Sequence, residues 1–252
     1  MKNVLLIDVG NTTVDFRYTS TISSQIIKLE RIWTKDEEKQ NLDFIISIFD
    51  KIENLSKVVF SSVVPIWTNL INQGAEKKRI PVFAIKEHFE HDLNIFQEVN
   101  INKLGSDFIA NYYGVVDGLK LQDCIVVSMG TATTLFVIEN MKFKGAIIAP
   151  GIKIALNSLI QNAAMLSQYE FNYTEMTLGT NTKTAIEIGA INGHFKMIKA
   201  LIEDLQKTKK HQVVITGGNA EIITHQFEQE DYLIKEELIF IGLQSKAFNK
   251  KS

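Results

Sequence analysis

An aspartate that interrupts an apolar run is the first residue in this chain with chemistry to account for. Residues 4–9 are otherwise hydrophobic, and Asp8 stands two positions before the turn Gly10-Asn11, after which residues 12–18 resume a strand-like pattern. An unpaired carboxylate buried in such a strand costs several kcal/mol, roughly, so it needs hydrogen-bond donors or a cation. Glycine at position 10 lets the backbone approach a bound phosphate, and Asn11, Thr12 and Thr13 offer side-chain and backbone donors. The same residues serve equally well as local hydrogen bonds in a plain hairpin, so this motif alone leaves both readings open.

A second copy weighs toward the ligand. Residues 5–16 match residues 125–136 at a constant offset of 120, with Gly10 on Gly130, Thr13 on Thr133 and Phe16 on Phe136. The turn of the copy reads Gly130-Thr131-Ala132-Thr133-Thr134. A looser echo pairs residues 57–64 with 212–216, each an apolar strand ending in small residues. The second of these strands runs into Thr216-Gly217-Gly218-Asn219. Ligands lie beyond the C-terminal ends of strands in α/β sheets, and paired glycines there let a flat ring such as adenine lie against backbone; a simple strand-to-helix turn is the alternative. Gly105-Ser106-Asp107 opens a helix, and the residues alone read as a helix cap supplied by Ser106 or Asp107. Asp15 and Arg17 alternate with apolar neighbours and are assigned to the outer face of their strand. Asp117, Asp123 and the basic run 209–211 are assigned to solvated connections.

These groups need elements to hold them. Leu42, Ile45, Ile46, Phe49 and Ile52 recur at helical spacing within residues 36–53. A strand over 57–64 ends at Pro65, a helix follows over 66–78, and a short strand over 81–85. Residues 183–205 form a helix whose broad apolar face carries Ile188, Ile191, Phe195, Ile198 and Ile202. Strands alternating with helices imply an α/β fold with a largely parallel sheet. The internal repeat, near half of the 252 residues, implies duplicated lobes around a central nucleotide cleft, divided as 1–118 and 119–252. A net charge of -2 gives no support to nucleic-acid binding or a basic membrane patch. Cys124 is the single cysteine, so no intrachain disulfide and no thiolate metal cluster can form. The absence of a signal sequence or a membrane-length apolar run predicts a cytoplasmic protein. The histidines lack metal-ligand spacing, and neither a Walker phosphate loop, a dinucleotide glycine fingerprint nor a nucleophile elbow is present.

Taken in order along the chain, the motifs resemble the actin-like ATPase superfold, of ribonuclease H-like lobes, and within it the bacterial type III pantothenate kinases. Ile7-Asp8-Val9-Gly10-Asn11-Thr12 is similar to that family's opening phosphate motif, and Ser61-Ser62-Val63-Val64-Pro65 to its Ser-Val-Val-Pro segment. Leu104-Gly105-Ser106-Asp107 resembles its Gly-x-Asp-Arg motif. Gly130-Thr131-Ala132-Thr133-Thr134, Gly145-Ala146-Ile147-Ile148-Ala149-Pro150-Gly151-Ile152, Gly179-Thr180-Asn181-Thr182 and Thr216-Gly217-Gly218 complete the series. The resemblance implies ATP-dependent phosphorylation of pantothenate to 4'-phosphopantothenate, the first step toward coenzyme A. It implies Asp107 as general base and Asp8 as the residue managing Mg2+. Gly10, Asn11, Thr12, Gly130, Thr131, Thr133, Gly217 and Gly218 would then lie on ATP, and Gly105, Ser106 and Thr182 on the substrate. It also implies a homodimer in which Thr182 reaches pantothenate held by the neighbouring subunit.

Three positions depart from the family pattern. Ser128 stands where an acid usually helps bind K+ or NH4+, Phe108 replaces the arginine after the catalytic aspartate, and residues 95–103 lack the Tyr-x-Asn-Pro-like stretch. The departures keep two other readings in play: a catalytically weak, nucleotide-binding accessory protein, and a kinase for another small hydroxy acid.

Overall fold

The apolar run that carries Asp8 becomes β1 (Asn3–Val9) in the computed structural model, which describes residues 2–23, 25–161 and 170–248. β1 pairs antiparallel with β2 (Thr13–Ser20), and β2 antiparallel with β3 (Ile27–Trp33). Helix α1 (Leu42–Asp50) leads to β4 (Leu55–Ser62), parallel to β1, and α2 (Pro65–Lys78) leads to β5 (Val82–Ala84), parallel to β4. The sheet order is β3-β2-β1-β4-β5. One face of it, with Leu5, Ile7, Val9, Val14 and Phe16, packs on α1 and α2 through Ile45, Ile48, Trp67 and Ile71. Each such side chain, fully buried, contributes roughly 1.5–3 kcal/mol.

Local chemistry sets the helix ends. The helical periodicity over 36–53 is cut to α1 because residues 36–40 close hydrogen-bonded turns on the Asp36 carbonyl and Asn41 then caps the helix, its side chain accepting from Phe44 N at 2.9 Å. Pro65 opens α2 as its first residue, where a missing N–H costs nothing. After β5, α3 (Ser106–Tyr113) runs into a π-helical turn, Gly114–Gly118.

The second half builds the same sheet again. β6 (Cys124–Met129) pairs antiparallel with β7 (Ala132–Glu139), which pairs antiparallel with β8 (Lys142–Pro150). Then come α4 (Ile152–Ile160), α5 (Thr182–Ile186), a π-helical turn Glu187–Asn192 and α6 (Gly193–Leu205). β9 (Gln212–Thr216), parallel to β6, α7 (Thr224–Glu228) and β10 (Leu233–Ile234), parallel to β9, finish the sheet in the order β10-β9-β6-β7-β8. Strand order and every strand direction repeat those of the first sheet. The duplication is real.

The register of the repeat differs from the constant offset of the sequence. In the first hairpin Val9 faces Val14, with four residues between them; in the second Met129 faces Thr133, with three. The second hairpin is thus one residue shorter. A one-residue slip reverses every side chain of a strand. Leu135, not Phe136, therefore matches Phe16 and enters the core with Ile125 and Val127, while Phe136 turns to the other face and stacks on Phe143 at 5.1 Å. The strand echo holds its register: Asp8 pairs with Ser61, and Ser128 with Thr216.

The C-terminal helix α8 (Leu238–Phe248) belongs to the first half. The chain divides into one compact unit of Met1–Leu121 with Glu237–Ser252 and another of Gln122–Glu236, whereas the sequence placed all of 119–252 together. α8 lies so close to α3 that a Cβ on Gly242 would strike the Ala110 carbonyl. It also covers the second face of β2. Asp15, only 5% exposed, pairs with Arg17 at 3.1 Å; Arg17 reaches Glu237 at 3.2 Å and lies 4.2 Å over the Phe240 ring. Asp15 and Arg17 are therefore not an outer face. Their cover comes from the far end of the chain, which no local pattern reveals.

Candidate functional site

In the first unit the two acids are set at strand and helix ends. Asp8 sits near the end of β1, between Ser61 of β4 and Asp15 of β2. Burial, then the charges of Asp107 and Asp15, push its carboxyl up to about 7, with Arg31 and Arg17 opposing. Asp107 is the second residue of α3, and Gly105, rather than Ser106 or Asp107, is the N-cap. Its carboxylate accepts the backbone N–H groups of Asp107 and Phe108; burial outweighs them and raises its pKa. A Cβ on Gly105 would strike Asp107 Oδ1, so the glycine vacates the space into which the carboxylate folds. Ser106 ties the start of α3 to β4: its hydroxyl donates to Ser62 O at 2.8 Å, and Ser61 Oγ donates to it at 3.1 Å. That hydroxyl is engaged within the fold. Phe108, where the resemblance led to the expectation of an arginine, is buried.

The first hairpin is closed by Gly10 N donating to Thr13 O at 2.9 Å, and Asn11 and Thr12 are exposed at its tip. Thr34, which nothing in the sequence marks, lies under it. Its hydroxyl donates to Gly10 O at 2.7 Å and its N–H to Thr12 O at 2.9 Å.

In the second unit Gly130 N donates to Ala132 O at 3.0 Å and Thr131 is exposed. Thr133 is fully buried, its hydroxyl 2.9 Å from His194 Nε2 on α6, so it braces the hairpin from within. Desolvation lowers the His194 pKa and favours the neutral ring. Gly217 has φ +93 and lies against the Met129 backbone, where any side chain would collide. Beyond it, Asn219 donates N–H to Met129 O at 3.0 Å and Nδ2 to Gly130 O at 2.7 Å. Gly217 and Gly218 border a cavity of about 160 Å³ with Ile215, Thr216, Ala220 and Glu221. That is room for one ring rather than for a whole ligand, which takes ~300–1,000 Å³. Ser128 has Thr134 and Thr216 as cross-strand neighbours, a set of hydroxyls without a carboxylate. Thr182, exposed, is the first residue of α5 behind a capping box of Asn181 and Thr184.

His211 is not solvated as assigned: its side chain is 2% exposed and sits 3.0 Å from Glu139. Asp123 does lie at the surface, paired with Lys209 at 2.6 Å and accepting Asn140 N. The apolar face of α6 is core, with Phe195, Ile198 and Ile202 packed on the sheet. Residues 95–103 form turns and a short 3-10 helix, Ile101–Lys103, and Lys86 Nζ holds the Asn102 and Leu104 carbonyls just before Gly105, a contact with no sequence signal. Among the described residues, no group of three or more His, Cys, Asp or Glu could hold a metal ion. No helix among them is long and apolar enough to cross a membrane.

Two sheets of identical strand order, each turning a glycine hairpin from its central strand, define the duplicated α/β architecture of the actin-like ATPases. Solved structures agree. A Campylobacter jejuni protein described as a Baf family transcriptional activator superposes with a TM-score of 0.58 at 21% identity, over 95% of this chain and 95% of that one. The activator of 2-hydroxyisocaproyl-CoA dehydratase from Clostridium difficile, with bound ADPNP, gives 0.52 at 11% identity, over 98% and 95%. Within that class the sequence is specific. The model of the family described as type III pantothenate kinase matches residues 4–204, and the chain belongs to that family. A type III pantothenate kinase of Mycoplasma mobile is 32% identical over 243 residues, 95% of this chain and 96% of that protein.

Proposed function

We propose that this kinase transfers the terminal phosphoryl group of ATP to the primary hydroxyl of pantothenate, yielding 4'-phosphopantothenate and ADP. The observation that carries the reading is the pair Asp8 and Asp107, two acids whose charges oppose each other, in a chain matched by the family over 4–204. Two such carboxylates resist ionising together, and a cation between them relieves that. With no cage of three ligands among the described residues, Mg2+ fits as Asp8 plus phosphate oxygens and water, the usual manner for that ion. Bound there, Mg2+ supplies charge neutralisation for the phosphates.

The remaining work falls to the chain's own groups. Asp107 accepts the proton of the pantothenate hydroxyl as its oxygen bonds to the terminal phosphorus and the bond to the bridging oxygen of ADP breaks. The exposed tips at Asn11, Thr12 and Thr131 offer N–H and hydroxyl donors to the phosphates, and Gly217 and Gly218 border the adenine. Thr133, held by His194, supports its hairpin. Gly105 and Ser106 shape the substrate side by fixing Asp107, and Thr182 contributes from its exposed helix start. Ser128 brings no charge, so the K+ or NH4+ requirement is weak or absent.

The working unit is a cytoplasmic homodimer. Its support is the set of apolar side chains that the second unit leaves exposed: Ile148, Ile154, Leu159 and Leu178, the last 80% exposed four residues before Thr182. The test is purified protein with Mg2+, ATP and pantothenate, with and without K+. Phosphopantothenate should form in both, and Ser128→Asp should make the rate depend on K+. ATP turnover without phosphopantothenate would defeat the reading.

A further inference from the structure

We infer that Thr34 and Asn219 are positioning residues, each latching the glycine carbonyl of its own hairpin so that the next amide N–H faces outward to a phosphate. The inference rests on the reading that the hairpins hold phosphates.

In both units a side-chain donor meets the glycine carbonyl at 2.7 Å: Thr34 Oγ1 on Gly10 O, and Asn219 Nδ2 on Gly130 O. Each donor also makes a backbone bond to the same hairpin, Thr34 N to Thr12 O and Asn219 N to Met129 O. Thr34 follows β3 and Asn219 follows β9, so the two are not copies of each other in the repeat. Two different residue types on two non-equivalent elements reach the corresponding carbonyl oxygens of the repeat, which points to the carbonyl as the thing being held.

The reason is the geometry of a trans peptide, in which C=O and N–H point opposite ways; no peptide bond among the described residues is cis. Holding Gly10 O inward aims Asn11 N–H outward, and holding Gly130 O aims Thr131 N–H likewise; Asn11 and Thr131 are both exposed. A peptide beside glycine turns over easily. Unlatched, it can present its carbonyl oxygen to the phosphate, which repels it. The latch itself is anchored: Thr34 is 4% exposed, and its carbonyl accepts from Trp67 Nε1 at 3.0 Å and Gln40 Nε2 at 3.4 Å. Fixed donors of this kind need no reorganisation when charge arrives.

The test is calorimetric binding of a non-hydrolysable ATP analogue with Mg2+, and of adenosine, to Thr34→Val, Thr34→Ser and Asn219→Ala. Thr34→Val and Asn219→Ala should weaken the analogue about tenfold or more, the scale of one charge-assisted hydrogen bond, and leave adenosine unchanged. Thr34→Ser, which keeps the hydroxyl, should bind as the unmodified protein does. Unchanged analogue binding in folded Asn219→Ala, equal loss of adenosine and analogue, or failure of Thr34→Ser to preserve binding would overturn the inference. If the unmodified protein binds the analogue no tighter than adenosine, the phosphate reading itself fails, and the inference with it.

Discussion

Asp8 carries a carboxyl whose ordinary value of 3.8 is pushed up to about 7, first by burial and then by Asp107 and Asp15. The sign follows from linkage: a group raised in the fold stabilises fully below its unfolded pKa, and that contribution is lost as pH rises through the folded value. Stability of the nucleotide-free protein should therefore carry a declining component between about pH 4 and pH 7. Asp8→Asn should lack that decline and be the more stable at pH 8, as denaturant melts at pH 5 and pH 8 would measure. Divalent-cation binding runs the other way, since it selects the ionised carboxylate. Mg2+ affinity should rise with pH through about 7 with a proton released, visible as buffer-dependent heats. A pH-independent affinity would remove Asp8 from the metal. At this scale the sequence was informative where chemistry contradicts its surroundings. Asp8 stood out as an acid in an apolar strand, whereas Asp107 read by itself as a helix cap and drew notice only through the family motif around it. Thr34 did not, because its partner carbonyl lies 24 residues away and an isolated threonine carries no pattern. Asp15 and Arg17 misled because their partner Glu237 lies 220 residues from Arg17.

Strands and hairpins repeat more faithfully than the residues on them. The strand order was not legible, and each sheet pairs β1–β2–β3 or β6–β7–β8 antiparallel where a largely parallel sheet was expected. The match of β1 with β6 and that of β4 with β9 were legible as apolar runs ending in small residues. The pairing of β7 was not, because a hairpin one residue shorter leaves the apolar pattern intact while turning it over. Helical periodicity found α6 but not its π-helical entry, where Glu187 and Asn192 bond the backbone of residues 172 and 174. The turn after β9 makes the clearest element-scale prediction. Gly217 combines φ +93 with backbone contact to Met129, the residue before Gly130. Gly217→Ala should cost on the order of 1–3 kcal/mol in stability and, by displacing Asn219, weaken nucleotide binding as well. A thermal melt alongside a nucleotide titration checks both. An unperturbed variant would mean that the turn tolerates movement and does not set the second hairpin.

At the scale of the whole molecule the duplication is what the sequence conveyed best, and the return of α8 to the first unit is what it concealed. Nothing local in residues 238–248 distinguishes a helix closing the second half from one closing the first; the glycine contacts with α3 decide it. The proposed dimer is tested by mixing defects. A hybrid of Asp107→Asn and Thr182→Ala subunits should regain about half of the unmodified activity, since one of its two sites is then intact. If each site is built within one subunit, no such recovery occurs. The central claim, that Asp107 takes the proton of the pantothenate hydroxyl in a kinase reaction, is tested most directly by the rate of phosphopantothenate formation in Asp107→Asn. Asparagine keeps the shape and the helix start but removes the base. The account predicts a loss on the order of 10²–10⁴ in rate, with nucleotide and pantothenate binding retained and the melting temperature nearly unchanged. Near-normal phosphopantothenate formation by that variant would contradict it.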